Sequence, residues 1–554
     1  MKLLEINDLS TDLGGEGQWQ PVVKNISLTI DSGQTYCLVG ESGSGKSVTA
    51  LSIMGLLPET KFRHPSGSIK LFAEDSATGL ELLGADNAVM RSVRGSKVAM
   101  IFQEPMTSLN PVQTIGEQLD EALQIHRPDW SVEQRKDRIL AALKEVMIPE
   151  PESRIKEYPH RLSGGQRQRV MIAMALICEP ALLIADEPTT ALDVTVQAEI
   201  LKLMGDLQTR YGMGMLFITH DFGVVAKIAD KVGVMRHGEL VETGLTGDVL
   251  RNPQHPYTQS LIAALPERLQ RRPSQPEKAP QSLLEVNDVA VHFPVRRGLL
   301  RRVVDHFRAV DGVSFQVNAG EIVALVGESG CGKTTLGRAI LRLQEVTHGQ
   351  IKLNGQDITH LSAKEMRPLR RQMQVVFQDP GSSLNPRLPI HTSLVEPMRV
   401  HGIGTNDTER TERAAAFLDR VEMPTDSLWR YPHEFSGGQR QRLAIARALV
   451  LEPKFILCDE ITSALDVSVQ AGILKLLRQL VDEENIGMMF ITHNMGVVDY
   501  LADRMLVMHK AKFVESGQTD SVMQAPQSDY TKTLLEAVPR LDDAYLATVT
   551  AARA

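Results

Sequence analysis

Cysteine is scarce in this chain: four in 554 residues, Cys37, Cys178, Cys331 and Cys458, with no C-x-x-C pair. That spacing argues against metal or cluster ligation. It offers no disulfide framework either, which suits a reducing compartment. Cys37 and Cys458 fall in apolar, strand-like runs and read as small buried hydrophobes. Long apolar runs are also missing; none reaches the roughly 18 residues that suggest a membrane-spanning helix. Met1-Lys2-Leu3-Leu4-Glu5 has no signal-peptide pattern. The expectation is a soluble cytoplasmic chain, with any membrane-spanning work left to other chains. Basic charge is in deficit as well, the formal net charge being -8. A nucleic-acid surface normally shows a basic field or stripe, and none stands out. The densest basic cluster, Arg296, Arg297, Arg301 and Arg302, reads either as a solvated loop or as a contact for lipid head groups or a partner loop.

What the chain does have is ordinary globular material, 42% hydrophobic and 23% charged. Its length is too great for one core and suggests three or four units at roughly 150 residues each. A repeat organises it. Gly40-Glu41-Ser42-Gly43-Ser44-Gly45-Lys46-Ser47 matches G-x-x-x-x-G-K-[ST], and so does Gly327-Glu328-Ser329-Gly330-Cys331-Gly332-Lys333-Thr334. Each is followed by a Gln, a Ser-Gly-Gly-Gln, an apolar run ending in Asp-Glu, and a Thr-His. Lys46 and Lys333 are 287 residues apart. The pairs Ser163 and Ser436, Asp186 and Asp459, and His220 and His493 are each 273 apart. The copies are therefore gap-free over their later parts, and the first carries extra residues around Phe62 to Val93.

Short continuous apolar runs precede each Gly-rich loop and each Asp-Glu. Continuity without alternation indicates strands covered on both faces, as in a parallel α/β sheet. The charged segments Thr114 to Arg154 and His391 to Leu428 read as inserted helical subdomains. The expected organisation is a first domain over 1–265, a Pro-rich semi-extended linker over 266–282, a second domain over 283–540, and a tail over 541–554.

The glycines of a P-loop let successive N–H groups cradle phosphate oxygens, and the helix that follows adds its positive end. Gly40, Ser42, Gly43, Ser44 and Gly45, with Val48 after Lys46 and Ser47, form one candidate cradle. Gly327, Ser329, Gly330, Cys331 and Gly332, with Thr335 after Lys333 and Thr334, form the other. The lysines would reach the β- and γ-phosphates, and Ser47 and Thr334 would offer a hydroxyl to Mg²⁺. Asp186 and Asp459 end buried strands, where a carboxylate meets ligands of open α/β sheets, and would hold Mg²⁺ through water. Glu187 and Glu460 would orient the water that attacks the γ-phosphorus. Alone, such an Asp-Glu would read as a helix-cap pair; an in-register P-loop favours chemistry. His220 and His493 follow Phe-Ile-Thr strands at a shared spacing of 33 residues from Glu187 and Glu460. They would donate to the γ-phosphate and sense its hydrolysis.

Ser163-Gly164-Gly165-Gln166 and Ser436-Gly437-Gly438-Gln439 resemble the signature of ABC ATPases. Gln103 and Gln378 resemble the Q-loop residue, and Ala191-Leu192-Asp193 and Ala464-Leu465-Asp466 the D-loop. The resemblance covers nearly the whole chain. It implies two tandem P-loop (RecA-like) ABC ATPase domains, each α/β with an inserted helical subdomain. It also implies ATP and Mg²⁺, with Ser47, Gln103, Asp186, Thr334, Gln378 and Asp459 around the metal. Each site would be completed by the signature of the other domain. The catalytic residues would be Glu187, Glu460, His220 and His493.

Gln103-Glu104-Pro105 with Ser108-Leu109-Asn110-Pro111, and Gln378-Asp379-Pro380 with Ser383-Leu384-Asn385-Pro386, resemble the oligopeptide and dipeptide importer group. His255-Pro256-Tyr257-Thr258 is similar to that group's tail motif, with Ser528-Asp529-Tyr530-Thr531 a weaker second copy. The cysteine-rich extension of many relatives is absent, so no iron–sulfur cluster is expected. Two fused domains without it look most like the Yej-type ATPases of microcin C and oligopeptide import, with the fused glutathione-import ATPases the nearest alternative. The resemblance implies two membrane-spanning permease subunits, a separate substrate-binding protein, no nucleic acid, no need for a homodimer, and a peripheral place on the cytoplasmic face of the bacterial inner membrane. A soluble ABC ATPase acting on ribosomes or DNA is the reading from another class; a short linker and negative net charge disfavour it. One departure is Ile461, where the first copy has Pro188; without proline's restraint Glu460 is expected to be freer. Trp19, Phe293 and Phe307 lie upstream of the P-loops, as adenine-stacking rings or as ordinary packing.

Overall fold

The unbroken apolar runs form the buried centre of two parallel sheets. Thr35–Val39, Leu182–Asp186 and Gly214–Ile218 are buried at every position, and so are Ile322–Val326, Phe455–Asp459 and Gly487–Ile491. Such strands have no face to show to water and need helices on both sides. The computed structural model describes all residues except 16–17, 73–77, 104–107, 190–191, 271–281, 298–301, 464, 539–540 and 542–554. It divides into two compact units, chiefly Met1–Leu192 with Val196–Ala263, and Ala264–Val538, where length alone suggests three or four.

In the first unit six strands lie in the order Glu239–Leu245, Lys231–Arg236, Thr35–Val39, Gly214–Ile218, Leu182–Asp186, Val98–Ile101. Only the outer pair, Glu239–Leu245 with Lys231–Arg236, is antiparallel. In the second unit the order is Met373–Val376, Phe455–Asp459, Gly487–Ile491, Ile322–Val326, Arg504–His509, Lys512–Gln518. Again only the last pair is antiparallel. This order has a direct consequence. The strands ending before the P-loop, the Thr-His, the Asp-Glu and the Gln are four adjacent parallel strands. Their carboxyl ends open on one edge, where ligands of such sheets bind.

A four-stranded antiparallel sheet accompanies each: Gln18–Asp31, Lys2–Gly15, Phe62–Leu71 and Leu80–Glu81 in the first unit, and Arg302–Asn318, Ser282–Arg297, His348–Leu353 and Gln356–Asp357 in the second. Part of the extra length of the first copy falls between Leu71 and Leu80, where the second passes from Leu353 to Gln356. Leu4, Ile6, Ile26 and Ile69 of this sheet share a core with Ala50 and Ile53 of the helix Lys46–Ile53. Leu284, Val286 and Ile351 do so with Leu336 and Ile340 of Lys333–Ile340. Each fully buried aliphatic side chain contributes roughly 1.5–3 kcal/mol, so the helix behind the P-loop is anchored through its apolar face.

The inserted segments are helical. Ile115–His126 and Val132–Glu145 pack on Gly164–Leu176. Ile390–Val400 and Asp407–Arg420 pack on Gly437–Leu449 through a core that includes Leu394, Phe417, Leu418 and Leu443. Of the segment 266–282, Pro266–Arg268 is a 3₁₀ turn packed on Met495–Leu501 instead of an extended linker. Proline's fixed φ suits the first position of such a turn. The rest of the linker through 281, and the tail beyond Leu541, lie outside the described residues. All four cysteines are buried.

Candidate active site

In each P-loop the lysine is folded back on its own loop. Lys46 Nζ donates to the carbonyls of Gly40 at 2.7 Å and Glu41 at 2.9 Å, and to Ser44 Oγ at 3.4 Å. Lys333 Nζ donates to Gly327 O at 2.7 Å and Glu328 O at 2.8 Å. Both lysines are buried, 6% and 5% exposed, and a buried ammonium needs such acceptors. Gly40 and Gly327 have φ of +147° and +149°, and a Cβ at either would collide with the carbonyl oxygen of Met235 or Met508. Ser42 and Gly43, like Ser329 and Gly330, are exposed at the tip of the loop. Cys331 takes the place of Ser44 and is buried; burial pushes its thiol pKa up. Gly45 and Gly332 cap the helices that begin at Lys46 and Lys333. Val48 and Thr335 follow, half-buried, in their first turns.

Ser47 Oγ donates to Asp186 Oδ1 at 3.2 Å, and Thr334 Oγ1 to Asp459 Oδ1 at 3.4 Å. Burial pushes both aspartates above the usual carboxylate range; Ser47 and Thr334 pull the other way. A hydroxyl beside a buried carboxylate is an all-oxygen donor set and fits a hard divalent cation.

The next residue along departs from regular backbone. Glu187 and Glu460 have φ of +47° and +48°, a left-handed conformation costly for a side chain of this kind. Their N–H groups donate to Ile218 O and Ile491 O, both at 2.9 Å. The angle is the same before Pro188 and before Ile461, so the expected looseness of Glu460 has no counterpart in the backbone. A difference shows further out. His220 Nδ1 is 3.2 Å from Glu187 Oε1, whereas His493 Nδ1 is 3.6 Å from Glu460 Oε1. His493 is also the main cause holding the Glu460 carboxyl below its usual range.

Gln103 Nε2 donates to Glu187 Oε2 and Gln378 Nε2 to Glu460 Oε2, each at 2.9 Å. With the amide nitrogen so engaged, only Oε1 of either glutamine is available in kind to a cation. The histidines meet a related restriction. A ring that donates to a glutamate through Nδ1 and to a phosphate through Nε2 at once must be the imidazolium. These pairings tie together three of the motif residues in each unit.

The signature residues cap helices. Ser163 Oγ accepts from Gln166 N at 3.3 Å and Gln166 Oε1 from Ser163 N at 3.1 Å; Ser436 and Gln439 repeat this at 3.3 and 3.0 Å. The capping box leaves the amides of Gly164 and Gly165, and of Gly437 and Gly438, as the first donors of two 13-residue helices. A Cβ at Gly165 would stand 2.8 Å from Val196 Cγ1, and one at Gly438 would collide with Val469.

Glu104, Pro105, Ala191 and Ala464 lie outside the described residues. Trp19 is covered by the Arg63 guanidinium, 4.6 Å from its ring centre. Phe293 and Phe307 are exposed cross-strand partners. Sequence reasoning missed the reach of Tyr257 and Tyr530 to the P-loops. Their separation of 273 residues, the same as that of Ser163 and Ser436, Asp186 and Asp459, and His220 and His493, was the available signal.

A doubled P-loop with an aspartate, a glutamate held by Gln and His, and a capped Ser-Gly-Gly-Gln helix defines a nucleotide-hydrolysing protein of the ATP-binding-cassette class. The chain belongs to the ABC transporter family, whose profile matches residues 23–190 and 310–463. The profile described as "Oligopeptide/dipeptide transporter, C-terminal region" matches 241–288 and 514–553. The chain is 50% identical over 535 residues to the peptidoglycan transport ATP-binding protein YejF of Agrobacterium fabrum, covering 97% of this chain and 96% of that protein. It is 47% identical over 563 residues to the glutathione import ATP-binding protein GsiA of Salmonella typhimurium, with 98% and 90% covered. The protein of that name from Escherichia coli K12 is 46% identical over 560 residues, with 97% and 89% covered.

Proposed function

We propose that this chain is the ATP-hydrolysing subunit of a membrane importer for peptides, with two MgATP sites. The observation that carries this reading is the Gln–Glu–His arrangement standing beside a complete P-loop in both units. The matched oligopeptide/dipeptide transporter region supports peptide as the cargo class. Lys46 and Lys333, with the loop amides from Gly40 to Gly45 and Gly327 to Gly332, bind the phosphates. Ser47 and Asp186, and Thr334 and Asp459, hold Mg²⁺, with Oε1 of Gln103 and Gln378 as further ligands. When bound, the cation neutralises phosphate charge. Glu187 and Glu460 orient and polarise the attacking water, while His220 and His493 face the γ-phosphate as hydrogen-bond donors. Each signature serves the other domain's site, as the family resemblance implies, so the fused chain needs no second copy.

The partners are two membrane-spanning permease subunits and a separate substrate-binding protein, at the cytoplasmic face of a bacterial inner membrane. No helix among the described residues is long and apolar enough to cross a membrane. Glutathione is the second cargo reading, favoured by the 46–47% identity to glutathione import proteins.

The test is MgATP hydrolysis by the purified chain alone and with its permease subunits in vesicles. Hydrolysis stimulated by the permeases and peptide-loaded binding protein is expected. Absence of MgATP hydrolysis, or stimulation by ribosomes or DNA instead, would overturn the proposal. Mass spectrometry of ligand bound to the co-purified binding protein separates longer peptides from glutathione.

A further inference from the structure

Each unit brings a tyrosine from its carboxyl-terminal region onto the second residue of its P-loop. Tyr257, in the helix Pro256–Ala263, accepts the N–H of Glu41 at 3.4 Å and donates to Glu41 Oε2 at 3.0 Å. Tyr530, in the helix Asp529–Ala537, accepts the N–H of Glu328 at 3.1 Å. The flanking sequences differ, His-Pro-Tyr-Thr against Ser-Asp-Tyr-Thr, yet the contact recurs.

The supports recur with it. Glu242 accepts the N–H groups of Gln254 and His255 at 2.7 and 3.2 Å. Glu515 accepts those of Gln527 and Ser528 at 2.8 and 3.0 Å. Each glutamate thus pins the backbone just ahead of the tyrosine's helix. The rings are seated as well: the Arg236 guanidinium lies 4.7 Å from the Tyr257 ring centre, and the His509 ring 4.0 Å from that of Tyr530. Burial pushes both phenols above the ordinary tyrosine range, so they remain protonated.

The residue being held matters. The carbonyls of Glu41 and Glu328 are acceptors for Lys46 and Lys333. Each tyrosine therefore grips, by its N–H, a residue whose C=O cages the phosphate-binding lysine. We infer that Tyr257 and Tyr530 are positioning residues that tie the P-loops to the helices Pro256–Ala263 and Asp529–Ala537, so that the shape of the phosphate cradle and the placement of these helices change together. This rests on reading the P-loops as ATP sites.

The test uses the full chain with Tyr257→Phe and Tyr530→Phe, which keep the rings and their packing. Amide hydrogen exchange without nucleotide should quicken in the peptide spanning 40–47 for Tyr257→Phe and in that spanning 327–334 for Tyr530→Phe, each leaving the other loop unchanged. The apparent Kd for MgATP at the altered site should rise about three- to tenfold, the equivalent of one hydrogen bond. The thermal midpoint without nucleotide should move by no more than about 2 °C. Unchanged exchange and affinity in both variants would overturn the inference. So would a lowered midpoint with exchange raised throughout the unit, the mark of a merely structural tyrosine. A wild-type chain that binds no MgATP would instead remove the ATP-site reading, and the exchange measurement would still decide the tether.

Discussion

Gln103 donates its side-chain amide to Oε2 of Glu187 at 2.9 Å, while His220 meets Oε1 of the same carboxylate at 3.2 Å. The glutamate is held at both oxygens; Gln378 holds Oε2 of Glu460 in the same way, while His493 Nδ1 stands 3.6 Å from its Oε1, a looser approach. A carboxylate so gripped has little rotational freedom, which is what orienting a water demands.

Replacing both glutamates with glutamine, Glu187→Gln with Glu460→Gln, keeps the shape and removes the basic oxygen. MgATP turnover should fall by at least about a hundredfold, the usual scale for a lost general base, with ATP binding retained. Turnover near wild type in the double variant, measured by phosphate release, would sink the assignment.

The single variants should be unequal. Glu187→Gln leaves only the site in which His493 stands farther from its glutamate, so its residual rate should be the lower of the two. Equal rates for Glu187→Gln and Glu460→Gln would remove the argument for asymmetry.

Gly438 faces Val469 with no room for a Cβ. Gly438→Ala should push the start of the helix Gly437–Leu449 out of place, at a cost of roughly 1–3 kcal/mol, and lower ATPase activity by at least about tenfold. Val469→Ala added to it makes space and should restore most of the activity. Failure of the double variant to recover would mean that the glycine matters for its backbone and not for this packing.

Away from the sites, Asp357 accepts from Thr359 Oγ1 at 2.5 Å, from Thr359 N at 2.9 Å and from Gln350 Nε2 at 2.6 Å. These donors, Thr359 Oγ1 first, hold its carboxyl at about 2, below the usual 3.8. A depressed folded pKa contributes stability that is present above the unfolded value and disappears as pH falls through the folded one. Asp357→Asn should therefore lower the thermal midpoint at pH 7, and the gap to wild type should close between about pH 4 and pH 2. A gap that stays constant over that range would refute the account.

The doubled P-loop, the order of motifs behind it and the parallel sheets were legible in the residues alone. Those follow from short-range chemistry: glycine spacing at a phosphate turn, and apolar runs such as Leu182–Asp186 that must be covered on both faces. Which side chains meet is settled by the folded arrangement. Gln103 and Glu187 are 84 residues apart, and Tyr257 and Glu41 are 216 apart. The first meeting depends on four parallel strands being neighbours in one order, so that their carboxyl ends share an edge, and the second on the helix Pro256–Ala263 lying beside the P-loop. Local rules even pointed the wrong way at Glu187. A residue before proline favours extended backbone, yet Glu187 is left-handed, with its N–H bonded to Ile218 O across the sheet. A left-handed residue of this kind costs roughly 1–3 kcal/mol and persists only where the surrounding fold holds it, and such long-range constraints have no signature in the residues nearby.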